Sequence, residues 1–258
     1  MMSVKIEGLV SDELNNSAII VVIQRNAGDR IVRALSSVYR QDYDDIGILF
    51  IDDASTDHTR ELAINYFEQN TKRGFDIALH LNEKKTPKIL SLDTATRKYC
   101  KNPNSVLFWL DGDDELLTTE AIRVMMNDHQ QYDIVWSQHE FVNLKTNRTS
   151  PGYGGVLESD FPRQHPWVSS HLKSFKNHLF QSLPNHLLRD EDGTYYPFAI
   201  DRVVMYPLIE MVGKEKCFFR DKMYYRYYHA TPEHIRRIQK ACLKKLLQQK
   251  PLRTITDL

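Results

Sequence analysis

The stretch Val106-Leu107-Phe108-Trp109-Leu110-Asp111-Gly112-Asp113-Asp114-Glu115 runs from unbroken apolar residues straight into acid. An apolar run rich in Val, Phe and Trp reads as a buried strand. Asp111, Asp113 and Asp114 then emerge together at its carboxyl end. Ligands of open α/β sheets bind outside the carboxyl ends of the strands. Carboxylates crowded there repel one another unless a cation neutralises them, and hard oxygen ligands suit Mg²⁺ or Mn²⁺. An Asp-Gly pair alone is more often just a tight turn. Two features outweigh that here. The acids close a buried strand, and a second pair, Asp52-Asp53, closes another apolar run upstream. An EF-hand is excluded, because its loop wants Gly at the sixth position, whereas here Gly112 is second and Leu116 sixth.

Upstream, Ala18 to Ile23 is a β-branched run and Ile46 to Ile51 a second one, both reading as buried strands. Ile31, Leu35, Val38 and Tyr39 recur at helical spacing between them. Phe75 to Leu81 is a weaker strand, and a helix is expected after Pro87, with Lys84, Lys85 and Lys88 in a solvated loop before it. Thr118 with Glu120 reads as the start of another helix, and Tyr132 to Ser137 as a further strand. Strands alternating with helices imply right-handed crossovers and an α/β fold with a mostly parallel sheet. The rhythm breaks at 144–165, a long loop rich in Gly, Pro, Thr and Ser. Beyond it, 195–213 is helical, 217–228 is aromatic and strand-like, and 232–250 is helical.

The 258 residues are 41% apolar and 26% charged with a formal net charge of +0, so nothing global points to nucleic acid or membrane. Cys100, Cys217 and Cys242 lie far apart, which excludes a cysteine zinc site and fits a reducing compartment. Met1 to Ser17 lacks the apolar core of a signal peptide, and no apolar run approaches the roughly 20 residues needed to span a bilayer. The expected location is the cytoplasm, and Asn147-Arg148-Thr149 is then sequence rather than a glycosylation site.

The first strand with its polar loop, Asp52-Asp53-Ala54-Ser55-Thr56-Asp57 and Asp111-Gly112-Asp113-Asp114 resemble the GT-A glycosyltransferases of family two. The resemblance covers roughly 18–229. Ser170-His171-Leu172-Lys173-Ser174-Phe175-Lys176, Asp192-Gly193-Thr194-Tyr195-Tyr196-Pro197, Ala199-Ile200-Asp201-Arg202 and Tyr206-Pro207-Leu208-Ile209-Glu210-Met211 resemble the acceptor side of one branch. The resemblance implies a GT-A type sheet and one domain over 1–258. Within it, 18–137 would bind nucleotide sugar and metal, 138–231 would face the acceptor, and 232–258 would form a basic helix and tail. It implies a nucleotide-diphosphate-sugar donor, UDP-sugar favoured, a Mn²⁺ or Mg²⁺ cofactor, and inversion at the anomeric carbon. Asp113 would ligate the metal, and Asp111 would touch the ribose or reach the metal through water. Asp53, joined by Asp52, would accept hydrogen bonds from base and ribose, since a uracil N3–H needs an acceptor. The backbone at Gln24 and Asn26 would frame the base. Asp201 would take the acceptor's proton, and His229 would lie near the diphosphate or the metal.

The sequence departs from the family at three places. Gln24-Arg25-Asn26 stands where Pro-Thr-Tyr-Asn is usual, Ile200-Asp201 where a pair of acids is usual, and Tyr227-Tyr228-His229-Ala230 where an Asn-containing motif is usual. Other readings of single residues stay open. Asp201 also reads as a helix cap or a partner of Arg202, His229 as a structural histidine, and Tyr224 to Tyr228 as sheet packing. His171 and His186 lack metal spacing and read as structural. Two other functions share these features: a nucleotidyltransferase, which would want a Gly-rich phosphate loop where only Gly28 stands, and a catalytically silent nucleotide- or sugar-binding module. The acceptor hydroxyl is open among a glycan, a lipid-linked intermediate, a protein and a modified nucleic-acid base. In the tail, Ile235, Ile238, Cys242 and Leu246 share one helical face, while Arg236, Arg237, Lys240, Lys244 and Lys245 crowd the remainder. That basic face is either simply solvated or docks peripherally on an anionic surface, membrane or nucleic acid.

Overall fold

The computed structural model describes residues 10–71, 74–229 and 233–252, with the backbone alone at His229. In the first part strands and helices alternate: β1 (Ala18–Gln24), α1 (Arg30–Tyr39), β2 (Ile46–Asp52), α2 (Thr59–Gln69), β3 (Asp76–Leu81), α3 (Lys88–Tyr99) and β4 (Val106–Asp111). The β1, β2 and β4 runs are buried along almost their whole length, as strands covered on both faces must be. They form a parallel block in the order β3-β2-β1-β4.

β5 (Glu115–Leu116), α4 (Ala121–Asp128), β6 (Ile134–Asn143), β7 (Arg148–Pro151), β8 (Lys173–Lys176) and α5 (Asn177–Ser182) follow, then α6 (Ile200–Val212), β9 (Cys217–His229) and α7 (Glu233–Gln248). The sheet continues from β4 through β8, β6 and β9 to β5, with β7 on β6. It is therefore mixed rather than mostly parallel. β8 is antiparallel to both β4 and β6, and β6 is parallel to β9. One sheet thus runs through both halves of the chain, with an apolar core on each face.

Three local expectations change. The 144–165 loop contains β7, and Arg163 within it is buried against Glu210 of α6, Nε 2.5 Å and Nη2 3.0 Å from the two carboxylate oxygens. α4 begins at Ala121 with Glu120 before it and no side-chain cap; Thr118 instead offers its carbonyl to Gln41. On α7 the inner face carries Cys242 and Leu246, whereas Ile238 is 41% exposed.

Candidate active site

β1 is the strand from which the chain departs in both directions, pairing β2 on one side and β4 on the other. Such a reversal of strand order opens a crevice at the carboxyl ends. The register levels those ends: Gln24 lies opposite Asp52, and Ile23 opposite Asp111. Gly112 then passes directly over Gln24. A Cβ there would sit 2.5 Å from Gln24 Cβ, which is why the residue after Asp111 must be glycine.

The two acids after β2 take opposite directions. Asp52 is 0% exposed and accepts from Gln24 Nε2, from Arg60 Nε (2.8 Å) and from the Ser55 amide (3.2 Å). Its oxygens are spent holding the loop, so the expected contact of Asp52 with a donor is not available. Asp53 turns the other way and lines the cleft. Its Oδ1 accepts from Thr86 N (2.8 Å), Thr86 Oγ1 (3.1 Å) and Asn82 Nδ2 (3.0 Å), which fixes the carboxylate rigidly. Gln24 lines the cleft, but the exposed Asn26 does not border it. Asn26 latches the two loops, its Oδ1 accepting from Thr56 N at 2.8 Å and its amide donating to Ser55 Oγ at 3.0 Å.

The acids after β4 also divide. Asp114 is fully buried, its Oδ2 accepting from the Tyr225 hydroxyl (2.7 Å) and its Oδ1 from the Tyr228 amide (2.8 Å). It braces β9 and leaves Asp111 and Asp113 as the pair that borders the cleft. Lys88, the first residue of α3, is not solvated loop but the ion-pair partner of Asp111. Burial alone would raise the Asp111 carboxyl; Lys88 and then Lys173 hold it low instead. Asp113 accepts from Arg30 Nη1 at 3.1 Å, yet burial and the neighbouring Asp111 push its carboxyl up. His171 is part of this cluster, its Nε2 4.0 Å from Asp111 Oδ2 and its ring stacked on Tyr227. Burial, then Lys173, pulls its imidazole down to about 3, so it is neutral at pH 7.

Asp201 enters the same cleft from the first turn of α6. It neither caps that helix nor pairs with Arg202: the cap position is Ala199, and the Arg202 guanidinium lies over the Trp167 ring. Its partner is Lys173 of β8, with Nζ 2.8 Å from Oδ1. Burial would raise the Asp201 carboxyl, but Lys173, then His171 and Lys88, hold it well below the usual carboxylate range. The His229 backbone ends β9 opposite Asn143, and the side chain proposed near diphosphate or metal lies outside the described residues.

Two adjoining cavities of about 600 and 620 Å³ share Asp53, Lys88, Asp111 and Tyr227 in their walls. One extends to Lys173 and Asp201, the other to Arg30 and Asp113. Gln239 of α7 borders both. Asp111 and Asp113 suit a hard divalent cation: both donors are carboxylate oxygens, and the Asp111 charge destabilises that of Asp113. Among the described residues no group of three His, Cys, Asp or Glu forms a complete cage. Mg²⁺-like ions are commonly bound by one or two carboxylates, with waters and substrate phosphates completing the shell.

Lys88, Lys173, Arg30 and His171 were not legible as site residues. A partial signal existed: His171 and Lys173 both fall in the segment that resembles the family's acceptor side.

Residues 17–199 match the family model described as Glycosyl transferase family 2. Among solved structures, S. aureus TarS 1–349 in complex with UDP aligns with a TM-score of 0.62 and 15% identity, over 92% of this chain and 67% of that one. Mannosyltransferase PcManGT from Pyrobaculum calidifontis, with GDP-Man and Mn²⁺, aligns with a TM-score of 0.58 and 17% identity, over 92% and 65%. GalNAc-T7 with UDP, GalNAc and Mn²⁺ gives 0.60 and 16%, over 84% and 45%. At these identities the likeness is one of fold, and the fold is of the GT-A type. No curated protein matches the chain.

Proposed function

The chain belongs to glycosyl transferase family 2, and from that premise we propose that it moves a sugar from a nucleotide diphosphate, UDP favoured, to an acceptor hydroxyl with inversion. The observation that carries this reading is the level ending of β1, β2 and β4, which brings Asp53, Asp111 and Asp113 to one cleft. Asp53 has Oδ1 committed to Thr86 and Asn82, so Oδ2 is the oxygen for the imino N–H of a base. Asp111 faces the ribose, and Asp113 with Asp111 would hold Mn²⁺ or Mg²⁺. When bound, the cation would screen charge gathering on the departing diphosphate. Asp201 accepts the proton of the acceptor hydroxyl from the other end of the cleft. UDP, GDP-Man and Mn²⁺ in the structures of similar fold support a donor and a metal of this kind.

A screen of UDP- and GDP-sugars with Mn²⁺, with and without excess EDTA, tests the reading by release of nucleoside diphosphate. Release from one donor class that stops with EDTA supports it. Release untouched by EDTA removes the metal, and no release from any nucleotide sugar, with pyrophosphate released instead from UTP or GTP and a sugar 1-phosphate, favours a nucleotidyltransferase.

The α7 helix supports peripheral docking on an anionic lipid surface. Arg236, Lys240 and Lys244 recur every fourth residue, so like charges stack along one exposed face at a cost to the helix. Leu247, 41% exposed, falls on the same side of the helix and adds apolar contact of the kind a bilayer surface takes up. Among the described residues no helix is long and apolar enough to cross a membrane.

A further inference from the structure

Lys173 occupies a place where a lysine is hard to explain by stability. It stands in β8, paired to Trp109 of β4 on one side and Trp136 of β6 on the other, in the interior of the sheet. Its side chain is 2% exposed. Lysines are almost never so buried unless paired, and a buried ion pair is often no more stable than apolar residues of the same volume. The ammonium lies over the buried Trp109 ring, 5.8 Å from its centroid, but its ion-pair partner is not a buried group. It reaches Oδ1 of Asp201 at 2.8 Å, and that carboxylate is 42% exposed at the cleft. The direct contact of the Lys173 charge is therefore with one oxygen of a cleft-facing acid, and at longer range the same charge holds Asp111 low.

We propose that Lys173 is a positioning residue for glycosyl transfer, clamping Oδ1 of Asp201 so that Oδ2 is the oxygen that receives the acceptor's proton. This rests on Asp201 acting as the base. In the step, the acceptor oxygen forms a bond to the anomeric carbon. The bond from that carbon to the diphosphate oxygen breaks, and its electron pair leaves with the diphosphate. The hydroxyl proton passes to Oδ2. A neutral Asp201 beside the Lys173 ammonium has lost its ion pair, so the proton is returned readily to water and the carboxylate is reset. Asp201 also sits in the first turn of α6, where the helix dipole favours the charged form. The other charged or titratable groups facing it are His171 just before β8, Lys88 of α3, Asp111 of β4 and Tyr227 of β9.

The test compares the full-length parent with Lys173→Met, Lys173→Arg and Asp201→Asn. Two readouts are taken: turnover of the UDP- or GDP-sugar that the parent uses, and carboxyl ¹³C NMR titration of labelled Asp, with Asp201→Asn identifying the Asp201 signal. Lys173→Met is expected to bind UDP with Mn²⁺ as the parent does and to lose turnover by about 10–10²-fold, part of the usual worth of a positioned base. Its Asp201 signal and the acid limb of its rate should rise together towards about pH 4, the ordinary carboxylate value. Lys173→Arg should recover part of the rate. If Lys173→Met does not fold, Lys173→Gln, uncharged but still a donor, takes its place with the same expectation for the titration. Loss of turnover in Asp201→Asn with parent-like rate and titration in Lys173→Met overturns the clamp alone. Parent-like turnover in Asp201→Asn overturns the base, and the clamp with it.

Discussion

Replacing Asp53 with Asn alters one atom of the cleft and leaves its scaffold standing. Oδ1 of Asp53 takes the Thr86 amide, the Thr86 hydroxyl and the Asn82 side chain. An Asn carbonyl oxygen accepts the same three bonds. The change falls on the other oxygen, which becomes an NH₂ group facing the imino N–H of the bound base. Two donors then meet, and the charge-assisted bond is lost. Such bonds are worth about 1.5–3 kcal/mol, so affinity for the nucleoside diphosphate should fall by about 10–150-fold. Isothermal calorimetry with UDP and with GDP, each with Mn²⁺, reads the loss. The melting temperature should stay within about 2 °C of the parent, since the three latch bonds persist. Asp53→Ala is the contrast: it removes the acceptor of all three donors at a buried position, so both affinity and melting temperature should drop. Parent-like affinity of Asp53→Asn for both nucleotides would falsify the assignment of Asp53 to the base.

Three further outcomes are expected. Glu210→Ala leaves the Arg163 guanidinium buried without its carboxylate, and urea unfolding should show a loss of about 3–5 kcal/mol; a loss under about 1 kcal/mol would mean that water reaches the pair. His129 is held neutral, its imidazole pulled down to about 4 by burial, so below its unfolded value of about 6.5 only the unfolded chain takes up the proton. The stability this group contributes is therefore full above pH 6.5 and falls by about 3 kcal/mol as pH drops to about 4; His139 and His171, likewise held neutral by burial, add to the slope, so His129→Gln should make that part of the profile shallower, and an unchanged profile would remove His129 as a source. Lys240→Glu with Lys244→Glu should abolish sedimentation with anionic phosphatidylglycerol vesicles at low salt while turnover of a soluble acceptor persists; equal sedimentation of both proteins refutes docking through α7, and binding of DNA but not vesicles moves the surface to nucleic acid.

The parallel half of the fold was legible because its strands are buried on both faces. Burial of that kind forces the unbroken apolar runs at 18–23, 46–51 and 106–110, and the acids that end them are visible as ends. β8 was not legible. It has four residues, two of them lysines, and is a strand because β4 and β6 flank it, not because of its own pattern. The same holds for the site. Asp53, Asp111 and Asp113 stand at strand ends, so their grouping follows from the alternation of strand and helix. Lys88 and Lys173 matter only through partners 23 and 28 residues away, Asp111 and Asp201. A lysine read alone looks solvated, and its burial is a tertiary fact. Asp52 and Asp114 misled for the converse reason. Each neighbours a cleft-facing acid in sequence but points to the opposite side of its strand end, where backbone amides and arginine or tyrosine consume its oxygens.

The most direct measurement is transfer by Asp201→Asn, with UDP binding in the presence of Mn²⁺ followed in parallel by calorimetry. Asp53, Asp111 and Asp113 are untouched by the change, so binding should match the parent. Transfer should fall by about 10²–10⁴-fold, and the parent's product should show inverted anomeric configuration by NMR. Near-parent transfer by Asp201→Asn, or a product of retained configuration, would contradict the assignment of Asp201 as the base of an inverting transfer.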